Sequence, residues 1–124
     1  MRNSKRNNGI IKIIGELILK TLIITGGNLN KDFTKEYLKK YSFDLIIAVD
    51  KGLEVLDNLE VKPNYIVGDF DSINKKVLDK YKKYSSIKIM TLNPEKDFTD
   101  THVALNVAIE NKSKEIIILR RNRY

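Results

Sequence analysis

The sequence predicts an α/β fold: a parallel sheet of about five strands with helices on both of its faces. Three observations predict it. Five short, almost continuously apolar runs recur along the chain; strands covered on both faces carry such runs, whereas half-exposed strands alternate. The segments between those runs space their apolar residues helically, and strand alternating with helix is the pattern of parallel crossover units. Finally, the chain has 124 residues, 42% of them hydrophobic, and no cysteine. One domain of that size builds its core by apolar burial, and a disulfide framework is excluded.

The elements follow in order. Residues 21–25 (TLIIT) form a first strand that meets a turn at Gly26-Gly27-Asn28. Residues 31–41 read as a helix with Phe33, Tyr37, Leu38 and Tyr41 on one face. A second strand, 44–49 (DLIIAV), ends at Asp50-Lys51-Gly52 and leads to a short helix over 53–59. Pro63-Asn64 is a turn before a short third strand at 65–67, which ends at Gly68-Asp69-Phe70-Asp71-Ser72. A helix over 75–84 precedes a fourth strand at 87–91, followed by Asn93-Pro94 and the polar stretch Glu95-Lys96-Asp97-Phe98-Thr99-Asp100. A helix over 99–110, with Thr99 or Asp100 as its cap, leads to a fifth strand at 115–119 (EIIIL). The result is a three-layer, Rossmann-like arrangement. In such sheets ligands bind outside the carboxyl ends of the strands, and four of these strand ends carry polar clusters.

Residues 1–20 are an N-terminal extension. Lys12, Glu16 and Lys20 recur every four residues, with Ile10, Ile13, Ile14 and Leu17 on the other side, which predicts an amphipathic helix. The apolar run is too interrupted to span a membrane and no A-x-A-like cleavage site follows it, so the expected location is cytoplasmic. The formal charge of +7 is equally uneven. Residues 1–8 and 120–124 contribute +3 each and hold every arginine, leaving +1 for residues 9–119. No basic groove is indicated, and a nucleic-acid partner is not expected; tails of that charge give weak, salt-sensitive contact at most. With a single histidine and no cysteine, any metal must be a hard cation held by carboxylates.

Candidate chemistry therefore rests on acids. Asp69 and Asp71, two apart on an extended segment, point to one side. They are either a pair relieved by a divalent cation or two solvated turn residues. Asp97 and Asp100, three apart at a helix start, share a face; they are either chemical groups or N-terminal acids favoured by the helix dipole. Lys96 beside them is either a phosphate contact or an ordinary surface lysine. His102 reads as a helix-surface residue, and Tyr37, Tyr41, Tyr81 and Tyr84 as core or rim.

The stretches IVGDFDSI (66–73) and EKDFTDTHVAL (95–105) resemble thiamin pyrophosphokinase. Gly26-Gly27-Asn28, Val49-Asp50-Lys51-Gly52 (similar to that family's A-D-G-G) and Lys62-Pro63-Asn64 extend the resemblance over about 21–119, which would form a nucleotide-binding domain. The resemblance implies transfer of a pyrophosphoryl group from ATP to thiamin, giving thiamin diphosphate and AMP, in a homodimer with thiamin bound between subunits. It implies Asp69, Asp71 and Asp100 as Mg²⁺ ligands with Asp97 nearby. Lys96, Ser72 and Thr99 would contact phosphates, and Gly26, Asn28, Asp50 and Gly52 would line the nucleotide pocket. Asp71 and Asp97 are both candidates for accepting the hydroxyl proton. Two departures stand out: Lys51 replaces a glycine of A-D-G-G, and Leu119 is followed by a basic stretch, 120–124, instead of the family's glycine-rich loop and C-terminal β-sandwich. The expectation is therefore either a truncated chain of the enzyme or a non-catalytic Mg-nucleotide module that needs a separate thiamin-binding domain.

Overall fold

In the computed structural model, residues 19–26, 29–93 and 99–120 are described. Nine elements alternate: β1 (Lys20–Thr25), α1 (Lys31–Lys40), β2 (Leu45–Val49), α2 (Gly52–Asn58), β3 (Tyr65–Gly68), α3 (Lys75–Lys82), β4 (Lys88–Thr91), α4 (Asp100–Glu110) and β5 (Glu115–Leu119). The five strands form one sheet in the order β4-β3-β2-β1-β5, and every pairing is parallel. The α/β class and the five strands stand as the apolar runs predict. The expected amphipathic helix of the N-terminal extension falls on residues outside those described, apart from residues 19–20.

Local chemistry explains the helix starts. The Asn30 side chain accepts the Phe33 N–H, that of Asn74 accepts the Lys76 N–H, and the Thr99 hydroxyl accepts the His102 N–H, at 2.9, 2.9 and 3.1 Å. Each satisfies a donor the first turn leaves without an intrahelical partner. Asn64 pins the turn before β3 by exchanging two hydrogen bonds with Ile46 of β2.

The two faces of the sheet bury different clusters. On one side Ile24, Ala48 and Ile66 meet Leu53, Val55 and Leu56 of α2 and Leu78 and Tyr81 of α3, with Leu38 of α1 against them. On the other, Ile23, Ile47 and Val67 meet Ala104, Val107 and Ala108 of α4. The alternation of Ile23 and Ile24 across the strand is the period-two geometry that lets an unbroken apolar run fill both clusters. Gly52 lets α2 begin directly against β1, because a Cβ there would run into the Ile24 carbonyl oxygen.

The aromatic stripe of α1 does not face the sheet. Phe33 is 58% and Tyr41 41% exposed, while Thr34 is the fully buried residue of this helix. The rings meet one another along the outside instead, Phe33 and Phe43 stacked on Tyr37 at 5.9 and 6.1 Å and Tyr41 tilted against it at 4.8 Å. Thr34 and Leu38 seat the helix, and the Thr34 hydroxyl donates back to the Asn30 carbonyl. Tyr81 is buried and Tyr84 half-buried, whereas His102 is exposed on α4. Among the described residues no helix is long and apolar enough to cross a membrane.

Candidate functional site

Parallel strands deliver their carboxyl ends to one edge of the sheet, and that edge is where the polar clusters converge. A cavity of about 320 Å³ is lined there by Thr25 and Gly26 after β1, Val49, Asp50 and Lys51 after β2, Ser72 beyond β3, and Asp100 and Thr101 of α4. Its place outside the carboxyl ends of β1 and β2 is the kind of position at which open α/β sheets take ligands.

Among the described residues, three carboxylates meet at this edge. Oxygens of Asp50, Asp69 and Asp100, all half-buried, lie within 4.8 Å of one another. The register brings two of them together: Val49 pairs with Val67, so the residues that follow, Asp50 and Gly68, are neighbours. Gly68 takes φ 156°, and a Cβ at this position would occupy the space of the Asp50 carboxylate. Asp50 itself adopts φ 48°, an uncommon left-handed conformation. Its Oδ1 accepts the Phe70 N–H at 3.2 Å, and the Asp69 Oδ1 accepts the Asp71 N–H at 3.0 Å. Asp100 enters from the opposite side, placed by the Thr99 cap at the first residue of α4.

Burial pushes the Asp50 carboxyl up to about 7; a hydrogen bond with Asp100 and the charges of Asp100 and Asp69 push the same way, against the Phe70 N–H. Like charges at such separations repel by a few kcal/mol per pair at an effective dielectric of ~20. A small oxygen-seeking cation relieves that repulsion. Asp50, Asp69 and Asp100 could each supply one oxygen to such a cation, as Mg²⁺ sites built from a few carboxylates require. Among the described residues that line the cavity, Lys51 is the one cation.

The sequence profile of the thiamin pyrophosphokinase catalytic domain matches residues 34–123. The chain belongs to this family. Solved structures agree in fold. Thiamine pyrophosphokinase from Bacillus subtilis superposes with a TM-score of 0.63 at 29% identity, over 81% of this chain and 46% of that one. Thiamin pyrophosphokinase from Geobacillus thermodenitrificans gives 0.61 at 25% identity, over 81% and 46%. The Candida albicans enzyme shares the fold, at 0.56 and 23% identity, over 78% and 35%. The chain thus spans about half the length of the thiamin pyrophosphokinases it resembles, or less. No curated protein sequence matches it.

Seen against the sequence, the thiamin pyrophosphokinase motifs are partly regrouped. Asp69 and Asp100 come together as the third and fourth strand ends suggested, but their third partner is Asp50, which sequence reasoning had assigned to the nucleotide pocket. Asp71 is exposed and stands outside the three, its backbone N–H serving Asp69. Gly26, Asp50 and Ser72 line the cavity, and Lys51 and Thr101 join them unforeseen. Gly52 is buried beneath β1 rather than lining it, and Thr99 acts as the helix cap. Asn28, Lys96 and Asp97 fall outside the described residues. The signal for Asp50 was Gly68 at the end of the next strand, and it becomes readable only once β2 is known to pair with β3.

Proposed function

We propose that this chain is the Mg²⁺- and nucleotide-binding half of a thiamin pyrophosphokinase, which moves a pyrophosphoryl group from ATP to the hydroxyethyl group of thiamin and releases AMP. The convergence of Asp50, Asp69 and Asp100 at the carboxyl edge of the sheet, in a chain of this family, carries the reading. Those three carboxylates would hold the metal, with Asp71 at the rim as a further acid. The metal would neutralise the ATP phosphates. Gly26 and Ser72 offer polar groups and close backbone approach on the cavity wall, and Lys51 offers a positive charge for phosphate. Transfer of this kind depends on positioning and charge neutralisation, so no covalent nucleophile is required. The thiamin oxygen bonds to the β-phosphorus as the bond to the AMP oxygen breaks, and the hydroxyl proton passes to a carboxylate; Asp71 and Asp97 are the candidates. The same reading carries a cytoplasmic location and a homodimer.

Titration calorimetry with ATP in the presence of Mg²⁺ tests the binding claim: heat is expected with Mg²⁺ and much less without it, and a folded sample giving no heat in either case refutes it. The match to about half of each relative favours a second reading, a nucleotide-binding module that needs a separately supplied thiamin-binding domain. AMP release from ATP and thiamin only after that domain is added supports the second reading; release by this chain alone supports the first.

A further inference from the structure

The turn after β3 holds an aromatic residue in a conformation that bulky side chains avoid. Phe70 takes φ 64°. Its ring is anchored, 5% exposed, in the cluster with Ile24, Ala48 and Ile73. The twist has a use: it presents two successive backbone N–H groups to two of the three clustered carboxylates, that of Phe70 to Asp50 and that of Asp71 to Asp69. The second N–H belongs to the same planar peptide unit as the Phe70 carbonyl. At the opposite edge of that unit the carbonyl accepts a hydrogen bond from Nζ of Lys75 at 2.8 Å. Lys75 is the first residue of α3, and among the described residues its ammonium forms no ion pair with an acid. A second tie holds the same connection, the Glu54 carboxylate accepting the Asn74 N–H at 2.9 Å.

We propose that Lys75 is a positioning residue for the carboxylate centre, its ammonium fixing the Phe70–Asp71 peptide plane so that the Asp71 N–H holds Asp69 toward Asp50 and Asp100. The proposal rests on the reading that these carboxylates bind a divalent cation. It makes a prediction opposite in sign to simple electrostatics. A lysine near a cation site repels the cation, so deleting its charge should tighten metal binding. Deleting a group that orients a ligand weakens binding, by ~10–100-fold for such supporting partners of metal sites.

The test titrates Mn²⁺ alone into the full chain, wild type, Lys75→Met and Lys75→Arg, while amide exchange at Asp71 is followed by NMR. Expected are Mn²⁺ binding weakened at least ~10-fold in Lys75→Met, faster exchange of the Asp71 N–H, and recovery of most of both in Lys75→Arg, which keeps a charged donor. Equal or tighter Mn²⁺ binding by a folded Lys75→Met overturns the role given to Lys75 while leaving the metal centre standing. Absence of Mn²⁺ binding by the wild type overturns the metal centre itself, and the role of Lys75 with it. Should Lys75→Met fail to fold, Lys75→Arg decides: retained affinity with a slowly exchanging Asp71 N–H supports the proposal, and retained affinity with fast exchange overturns it.

Discussion

Two clusters of ionisable groups in this molecule are built in opposite ways. At the carboxyl edge of the sheet, Asp50, Asp69 and Asp100 crowd together with like charge, and the Asp50 carboxyl is pushed up to about 7 by burial and by its acidic neighbours. Between α2 and α3, Asp57 sits with Lys80 and Tyr81, its Oδ1 accepting from Nζ at 2.8 Å and from the phenol at 2.9 Å. There burial pushes the Asp57 carboxyl up, but the hydrogen bonds from Lys80 and Tyr81 outweigh it and hold the group below its ordinary value. The same interactions raise the Tyr81 phenol, burial first and the Asp57 bond second. The second cluster fastens two helices together; the first is costly to the fold unless something positive enters it. Repulsion left uncompensated at a strand end is the mark of a site, because stability alone would select the paired arrangement.

The sharpest way to break this comparison is Asp69→Ala. Ligand charge sets the affinity of carboxylate sites for divalent cations, so metal-dependent ATP binding should fall by roughly 100-fold in calorimetry, with the fold intact by circular dichroism. Asp50→Asn comes next. It keeps the acceptor for the Phe70 N–H but removes one of the three charges, so metal-dependent nucleotide binding should fall about tenfold while the metal-free melting temperature holds or rises. A clear drop in that temperature would contradict the repulsion argument. In the other cluster the signs reverse. Tyr81→Phe deletes one hydrogen bond to Asp57 and should cost about 1 kcal/mol, ~4 °C in melting, with nucleotide binding unchanged. The smallest effect is in pH. Because the folded state holds Asp57 below its ordinary 3.8, the pair contributes stability that is present above that value and lost as pH falls through the lower, folded one. Urea unfolding of Asp57→Asn should therefore show a shallower loss of stability below about pH 4 than wild type.

Much of the architecture was legible because parallel strands buried on both faces must be apolar throughout. Runs such as TLIIT and LIIAV need no context to be recognised. Helix starts were legible where a side chain caps locally, as Thr99 does. Helical spacing also showed which residues of α1 share a face, but not which way the face turns. Phe33 and Tyr41 lie on the outside, while Thr34 and Leu38 turn toward the core.

By itself, then, the sequence determined the class of fold, the order of its elements and the set of acids available at strand ends, since these depend on residues near one another along the chain. Only the tertiary structure decided that β2 lies beside β3, that the empty side of Gly68 receives the Asp50 carboxylate, and that Asp71 lends its backbone N–H while Asp50 joins Asp69 and Asp100. Those outcomes depend on register between strands about 20 residues apart. Register is a property of the packed sheet, which no local pattern of residues contains.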